Sequence, residues 1–382
     1  MRVLVVGAGV AGLACARGLV RAGHEVEVYE RAPALRTAGG SVTLWSGSTG
    51  ILRDLGAGLS GIGRRIDAME SRRHDGRRLF TVDVAAAARR FGTPAVHVPR
   101  QRLVERLAEG LPSGVLRFGQ ACAGVDPDAG VVRLADGREV RGDVVVGADG
   151  RSSAVRDRLW GADPARPTGW VTWQGFVRGP ADLVSSHLAL MIIGREGLCG
   201  LIPAGDGLLL WWFDHRIGGG DPPASPARAL AARFGGWAAP VPEILAAIGD
   251  VDRFAHYRHR VPKVWGRGRA TLAGDAAHSM PPTLAQGANQ ALEDAWALVR
   301  ELTGDGPVED RLRRYERVRS RTAGRVAALA AVESTDRYPV QAMTRLVPDA
   351  LLTATNTRWL RRASTYLRSS GPVPEKGAVR RP

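Results

Sequence analysis

Cysteine and lysine are nearly missing from this chain of 382 residues, which has 3 Cys and, apart from Lys263 and Lys376, only arginine as its cation. Cys15, Cys122 and Cys199 stand far apart in apolar contexts, so buried free thiols are expected. No CxxC or Cys/His cluster has metal-ligand spacing, which sets aside a disulfide scaffold and a zinc site. No apolar run approaches the ~20 residues needed to span a bilayer, and no signal-peptide core precedes the first strand. A soluble, cytoplasmic protein without a membrane partner is expected. Aromatics are scarce too, at 6 %, and do not interleave with the arginines. The formal charge of +15 is therefore not read as a nucleic-acid site, although it favours anionic ligands. A Ser/His/Asp signature is also lacking, which removes the hydrolase class.

What is present begins at the N-terminus. Val3–Val6 is a short buried strand, Gly7-Ala8-Gly9-Val10-Ala11-Gly12 a turn, Val10–Arg21 a helix by its spacing, and Glu25–Tyr29 a second strand closed by Glu30. Gly7 permits the tight turn, Gly9 lets backbone approach a pyrophosphate, and Gly12 lets helix and strand pack. The amides at the helix start, Val10 and Ala11, aim at the phosphate, and Glu30 stands where an acid accepts ribose hydroxyls, with Arg31 beside it. This is a dinucleotide site. The motif alone does not choose between FAD and NAD.

A second stretch, ATLAGDAAHSMPPTLAQGANQALEDAWAL, reads as a strand (Arg269–Ala273), Gly274-Asp275, a Pro-rich turn, and a helix starting near Ala285. Together with the first it resembles the para-hydroxybenzoate hydroxylase family of FAD-dependent aromatic hydroxylases, with local similarity to the tetracycline-inactivating members. The resemblance implies non-covalent FAD, with Gly274-Asp275 at the ribityl chain and Pro282 beside the ring. It puts Gly287, Ala288 and Asn289 at the pyrimidine end, where helix-start amides stabilise negative charge. The family has Gly-Gln-Gly where this chain has Ala285-Gln286-Gly287, so Ala285 is not carried over as a contact. Between the two stretches, Asp143–Val146 leads into Gly147-Ala148-Asp149-Gly150-Arg151. This looks like the family's Asp-Gly motif, which implies that Asp149 serves FAD and the approaching NADPH or NADH. Arg36-Thr37-Ala38-Gly39-Gly40-Ser41 resembles the arginine-and-glycine loop at the flavin, giving Arg36 and Gly40. Arg100, at a helix start, resembles the arginine on the flavin's phosphate side.

The resulting fold class is α/β: a Rossmann-type FAD-binding domain with an inserted, mostly antiparallel β-sheet substrate domain and a C-terminal helical segment. Residues 1–64, 94–165 and 261–302 are assigned to the FAD domain, and 65–93 and 166–260 to the substrate domain. Residues 303–368 form C-terminal helices, and the polar stretch 369–382 reads as a disordered tail. Arg65–Val84 carries a hairpin signal at His74-Asp75-Gly76. Strands are expected at Gly169–Val177, His187–Ile193, Leu198–Pro203, Leu208–Asp214 and Asp252–His259, with helices around Pro226–Phe234 and Val241–Ile248. In the helical segment, Arg311, Arg313, Arg314, Arg317, Arg319 and Arg321 read as a solvated face, opposite a packed stripe of Leu312, Tyr315, Val318, Thr322 and Val326.

A monooxygenase of this type needs little acid–base machinery, because a flavin C4a-hydroperoxide performs the chemistry, and no catalytic residue is assigned. NAD(P)H and O₂ are the co-substrates, and an aromatic or polyketide-like small molecule is hydroxylated or epoxidised by a monomer or homodimer. Gln174 and Trp212, on strands with period two, are the expected substrate contacts. His187, His215 and His278 are candidate acid–base groups on general grounds, although His278, within the family's Gly-Asp motif, is expected to be structural. Thr283 stands where related urate hydroxylases carry Asp, so urate is not expected. The alternatives are an FAD-dependent halogenase or reductase on the same scaffold, or a non-catalytic FAD-binding protein.

Overall fold

Val3, Leu4 and Val5 have no exposed surface, as a parallel strand covered on both faces requires. A computed structural model describes residues 1–36, 39–162, 165–217, 223–332 and 344–369. Thr37 and Ala38 of the arginine-and-glycine loop, and 370–382 of the expected tail, lie outside the described residues. The first strand, Arg2–Val6, is the centre of a five-stranded sheet ordered Ala270–Leu272, Val144–Gly147, Arg2–Val6, Glu25–Glu30 and Leu116–Phe118. Every pair in it is parallel. The helix Val10–Arg21 crosses behind it and packs on the helix Gly287–Thr303. Gly18 makes that crossing close, since a Cβ there would sit 2.7 Å from Val299 Cγ2.

The second large layer is a seven-stranded sheet. Its order is Asp252–Arg258, Arg166–Arg178, Leu208–Arg216, Leu198–Gly205, Leu188–Ile193, Ala68–Arg73 and Arg78–Asp83. All its pairs are antiparallel except Leu188–Ile193 with Ala68–Arg73. The hairpin expected at His74-Asp75-Gly76 joins its last two strands. One face packs under the helices Pro226–Phe234 and Val241–Ala246, around Trp173, Trp211, Phe213 and Phe234. The rings of Phe213 and Phe234 stack there at 4.7 Å. Between the two layers, Ser41–Leu44, Ala95–Pro99 and Arg64–Ile66 form a small antiparallel sheet. The chain thus adopts the expected fold class, a Rossmann-like parallel sheet with a separate antiparallel sheet and C-terminal helices.

The helix Val308–Ala330 corrects the arginine reading. Arg319 is completely buried, whereas Val318 is 44 % exposed. Partners explain it: Arg319 lies on the packed face with Leu312, Tyr315, Thr322 and Val326, and donates there to Asp294, Thr365 and Gln290.

Candidate active site

The glycine turn is dictated by space. Gly7 has φ +103°, and a Cβ on it would lie 2.4 Å from the Ala148 carbonyl oxygen. A Cβ on Gly12 would fall 1.9 Å from the carbonyl oxygen of Gly7. Gly9 differs, because the space its Cβ would take is empty and it lines a large cavity with Val10 and Ala11. No side chain caps the helix that starts there. The Glu30 carboxylate accepts the Ala8 amide at 2.8 Å and the Ala32 amide at 2.9 Å. Arg31 and Arg36 are exposed and are not among the lining residues.

The Gly-Asp turn meets this motif directly. Gly274 has φ +63°, and a Cβ on it would sit 2.7 Å from Ala11 Cβ. Asp275 is exposed to the same cavity, as are Pro282, Gly287 and Ala288. The helix begins at Gly287, two residues after the expected start, again with no side-chain cap. Ala285, which is not carried over as a contact, lines the cavity and holds the left-handed conformation (φ +49°) that glycine would hold at no steric cost. The Asn289 side chain is taken up elsewhere: Oδ1 accepts the Trp45 amide, and Nδ2 donates to Thr43 and Ala285 carbonyls. Asp149 likewise turns into its own helix start, accepting from Ser153 Oγ at 2.5 Å and from the Val155 amide at 3.2 Å. Burial raises its pKa. Its neighbours Ala148 and Gly150 line the cavity; Asp149 does not. Arg100 and Gly40 do, joined by a 3.0 Å bond from the Arg100 amide to the Gly40 carbonyl.

The cavity has a volume of about 1090 Å³, room for a large cofactor and a small molecule together. Its opposite wall is the seven-stranded sheet. Trp170, Thr172 and Gln174 face it from one strand and Leu210, Trp212 and Asp214 from the next, while Trp173 and Trp211 face the other way into the core. The Gln174 amide sits against Gly40, where a Cβ would come within 2.3 Å of its nitrogen. Trp212 lies across Gly200, whose Cβ would meet the indole at 2.0 Å.

Sequence reading missed part of the wall. Leu352, Thr355, Asn356 and Trp359 line the cavity from the helix Asp349–Ala363, and their i, i+3, i+4, i+7 spacing was the available signal. The histidine that reaches the cavity is His97, not one of the three singled out. Its Nε2 lies 2.6 Å from Ser41 Oγ and its Nδ1 3.0 Å from Thr43 Oγ1, and burial lowers its pKa to about 3. His187 pairs with Asp67, His215 accepts from Trp173 Nε1 and is held below its ordinary pKa by burial, and His278 contacts Asp294.

FAD fits this donor set. Two uncapped helix starts open on one cavity, with a free carboxylate at Asp275 and a backbone cleared by Gly9. Residues 1–330 match the FAD binding domain family. The chain belongs to this family. It is 38 % identical over 334 residues to a 3-amino-4-hydroxybenzoate 2-monooxygenase of Streptomyces platensis, covering 83 % of this chain and 84 % of the relative. It is 34 % identical over 331 residues to the aurachin C monooxygenase/isomerase of Stigmatella aurantiaca, covering 84 % and 85 %. HpxO of Klebsiella pneumoniae, solved with FAD and uric acid, superposes with a TM-score of 0.82 at 25 % identity, covering 95 % of this chain and 93 % of that one. This flavoprotein is an FAD-dependent monooxygenase; these relatives support that reading over the halogenase, reductase and non-catalytic alternatives.

Behind the Gly274-Asp275 turn of this monooxygenase lies a buried ionic cluster. Asp294 accepts the Gly274 amide at 2.8 Å and His278 Nε2 at 2.5 Å through one oxygen, and Arg319 Nε at 2.7 Å through the other. Burial opposes the Asp294 charge, but His278 and Arg319 more than offset it and hold its pKa below the ordinary range. Arg319 also donates to Thr365 and Gln290, and the Glu293 carboxylate caps the amides of Thr365 and Tyr366. Among the described residues no group of His, Cys, Asp and Glu could hold a metal ion. No described helix is long and apolar enough to cross a membrane.

Proposed function

We propose that this monooxygenase holds FAD across the two helix starts and aims an aromatic small molecule at it from the seven-stranded sheet. The observation that carries this reading is the opening of the uncapped helix starts at Val10 and Gly287, with Asp275 between them, on the cavity that the sheet closes. When bound, FAD supplies the redox link between NADH or NADPH and O₂. The chain's residues do the rest. Val10 and Ala11 amides, with the helix dipole, take the pyrophosphate, and Arg100 neutralises its charge. Glu30 takes a ribose hydroxyl while its bonds to Ala8 and Ala32 fix its position. Asp275 accepts from the ribityl chain. The amides of Gly287 and Ala288 face the electron-rich edge of the ring, where a helix N-terminus favours negative charge. Gln174 donates and accepts, so it orients a phenol or carbonyl without itself carrying charge, and Trp212 stacks on a planar ring. The sheet wall excludes water from the reacting face.

In this reading residues 1–64, 94–165 and 261–302 serve the cofactor, and 65–93 and 166–260 serve the substrate. The relatives' aminohydroxybenzoate and urate support an aromatic substrate for this chain. A polyketide-like aromatic, a cytoplasmic site of action and a monomeric or dimeric state belong to the same proposal. The test is two-part. Purified protein is expected to carry FAD, and Asp275→Ala to raise the FAD dissociation constant about ten- to a hundredfold, the equivalent of 1.5–3 kcal/mol for a hydrogen bond to a charged acceptor. An unchanged constant removes Asp275 from the site. The oxygenase reading itself stands or falls on NAD(P)H-dependent O₂ uptake with one labelled oxygen atom recovered in an aromatic product.

A further inference from the structure

The sheet wall is uneven in polarity, and that unevenness bears on what the substrate is. Towards the strands Ala68–Arg73 and Arg78–Asp83 the cavity-facing positions are Met69, Val82, Met191, Leu198, Ile202 and Leu210. Leu352 and Trp359 of the helix Asp349–Ala363 add further apolar lining. The described lining residues include two cations, Arg100 and Arg253, and neither belongs to this apolar group. Arg100 packs beside Gly39 in the glycine loop, 3.4 Å from where a Cβ would lie. Arg253 is exposed on the far edge strand, its guanidinium over Trp173 at 5.3 Å. A carboxylate buried among those leucines and methionines would lose its hydration with no cation to replace it, at a cost of several kcal/mol. Asn356 also lies on the cavity-lining stripe, but its Nδ2 is sealed within the protein and offers a ligand no donor.

We propose that the site takes an uncharged aromatic substrate bearing an apolar substituent, and not a benzoate-type anion. The inference rests on the reading of this cavity as the substrate site. Among the described residues that line the apolar end there is no cation to pair with a carboxylate.

The experiment measures binding to the FAD-loaded protein near pH 7, by calorimetry and by the change in the flavin spectrum. The probes are 6-hydroxy-2-naphthoate, ionised at that pH, and its methyl ester, which is neutral and larger. The ester is expected to bind at least about tenfold more tightly, since an unpaired buried charge costs more than the 1.4 kcal/mol of one decade. Equal affinities, a tighter acid, or no binding of the ester overturns the proposal. Leu198→Arg is expected to reverse the preference, and an unchanged ratio in that variant also overturns it. Binding is read without turnover, so these outcomes are independent of whether oxygen transfer is observed.

Discussion

His97 is a neutral histidine at the working pH, which shapes both what it can do and how the protein responds to acid. Burial holds its pKa at about 3, against an ordinary value near 6.5. It therefore bridges Ser41 and Thr43 as a neutral ring and is no proton donor near pH 7. Between pH 6.5 and 3 the unfolded chain takes up a proton that the folded chain refuses, so stability is present above that window and is lost as the pH falls through it. The slope is about 1.4 kcal/mol per pH unit, and His97→Gln is expected to lose roughly 1.5–2 kcal/mol less than the parent between pH 6.5 and 5. Urea unfolding at both pH values measures this; parallel losses would mean that His97 titrates normally. Gly200 is a second residue with a single reason to be what it is. Gly200→Ala puts a methyl into the Trp212 indole, and the ring must swing off the sheet. Overpacking of this kind costs about 1–3 kcal/mol, and substrate affinity should fall while FAD affinity holds. A variant that binds substrate as the parent does would show Trp212 to be a bystander. Residues such as Gly7, Gly12 and Gly274 could be picked out in the sequence because the motifs that carry them are short and contiguous. His97 and Asn356 could not, because their surroundings are assembled from segments far apart in the chain.

At the scale of elements, the helices Gly287–Thr303 and Val308–Ala330 are locked by charge as well as by apolar packing. Arg319, at zero exposure, spans Asp294 on the first helix and Thr365 near the chain's end. Asp294 in turn holds the amide of Gly274. Arg319→Met leaves Asp294 buried with one cationic partner fewer, an expected loss of about 3–5 kcal/mol. Because Gly274 precedes Asp275, FAD retention should fall as well; thermal denaturation with and without added FAD tests both effects. Arg319→Met with Asp294→Asn is expected to recover only part of the loss, since the Asp294 charge is then gone but Glu293, 4.0 Å from Arg319, still lacks that cation. The periodic segments were legible here: the helix Val10–Arg21 and the strands of the inserted sheet lie within a few residues of their expected bounds. The arginine-rich helix was misread because helical period says which residues share a face, not whether a buried carboxylate waits opposite it. In the tryptophan strands alternation set Trp173 against Gln174 and Trp211 against Trp212, but which of each pair faces the cavity was not legible, because the cross-strand register that pairs Gln174 with Trp212 decides it.

For the whole molecule, the helix Asp349–Ala363 lies beyond the part of the chain that matches the FAD binding domain family, yet it ties the two layers together. Asp349 accepts the Thr81 amide and Thr353 Oγ1 the Asp83 amide, so side chains of this helix satisfy edge-strand donors of the seven-stranded sheet. At its other end Ala363 accepts Gln290 Nε2 from the helix Gly287–Thr303, and Thr365 and Tyr366 give their amides to Glu293. A helix fastened at both ends in this way holds Leu352, Asn356 and Trp359 on the cavity as a fixed wall, where specificity can diverge from relatives that share the cofactor site. Little in the sequence pointed to this role, because no motif marks a wall and the contacts span nearly the whole chain. Trp359→Ala removes a large flat surface from the apolar end and none of the groups assigned to FAD. Losing part of that burial is worth about 1–2 kcal/mol, so the substrate dissociation constant should rise roughly tenfold. FAD affinity and the rate of flavin reduction by NAD(P)H without substrate should stay at the parent's values. If Trp359→Ala instead sheds FAD and leaves the substrate constant unchanged, the helix serves the cofactor half of the cavity and the placement of the substrate against it is wrong.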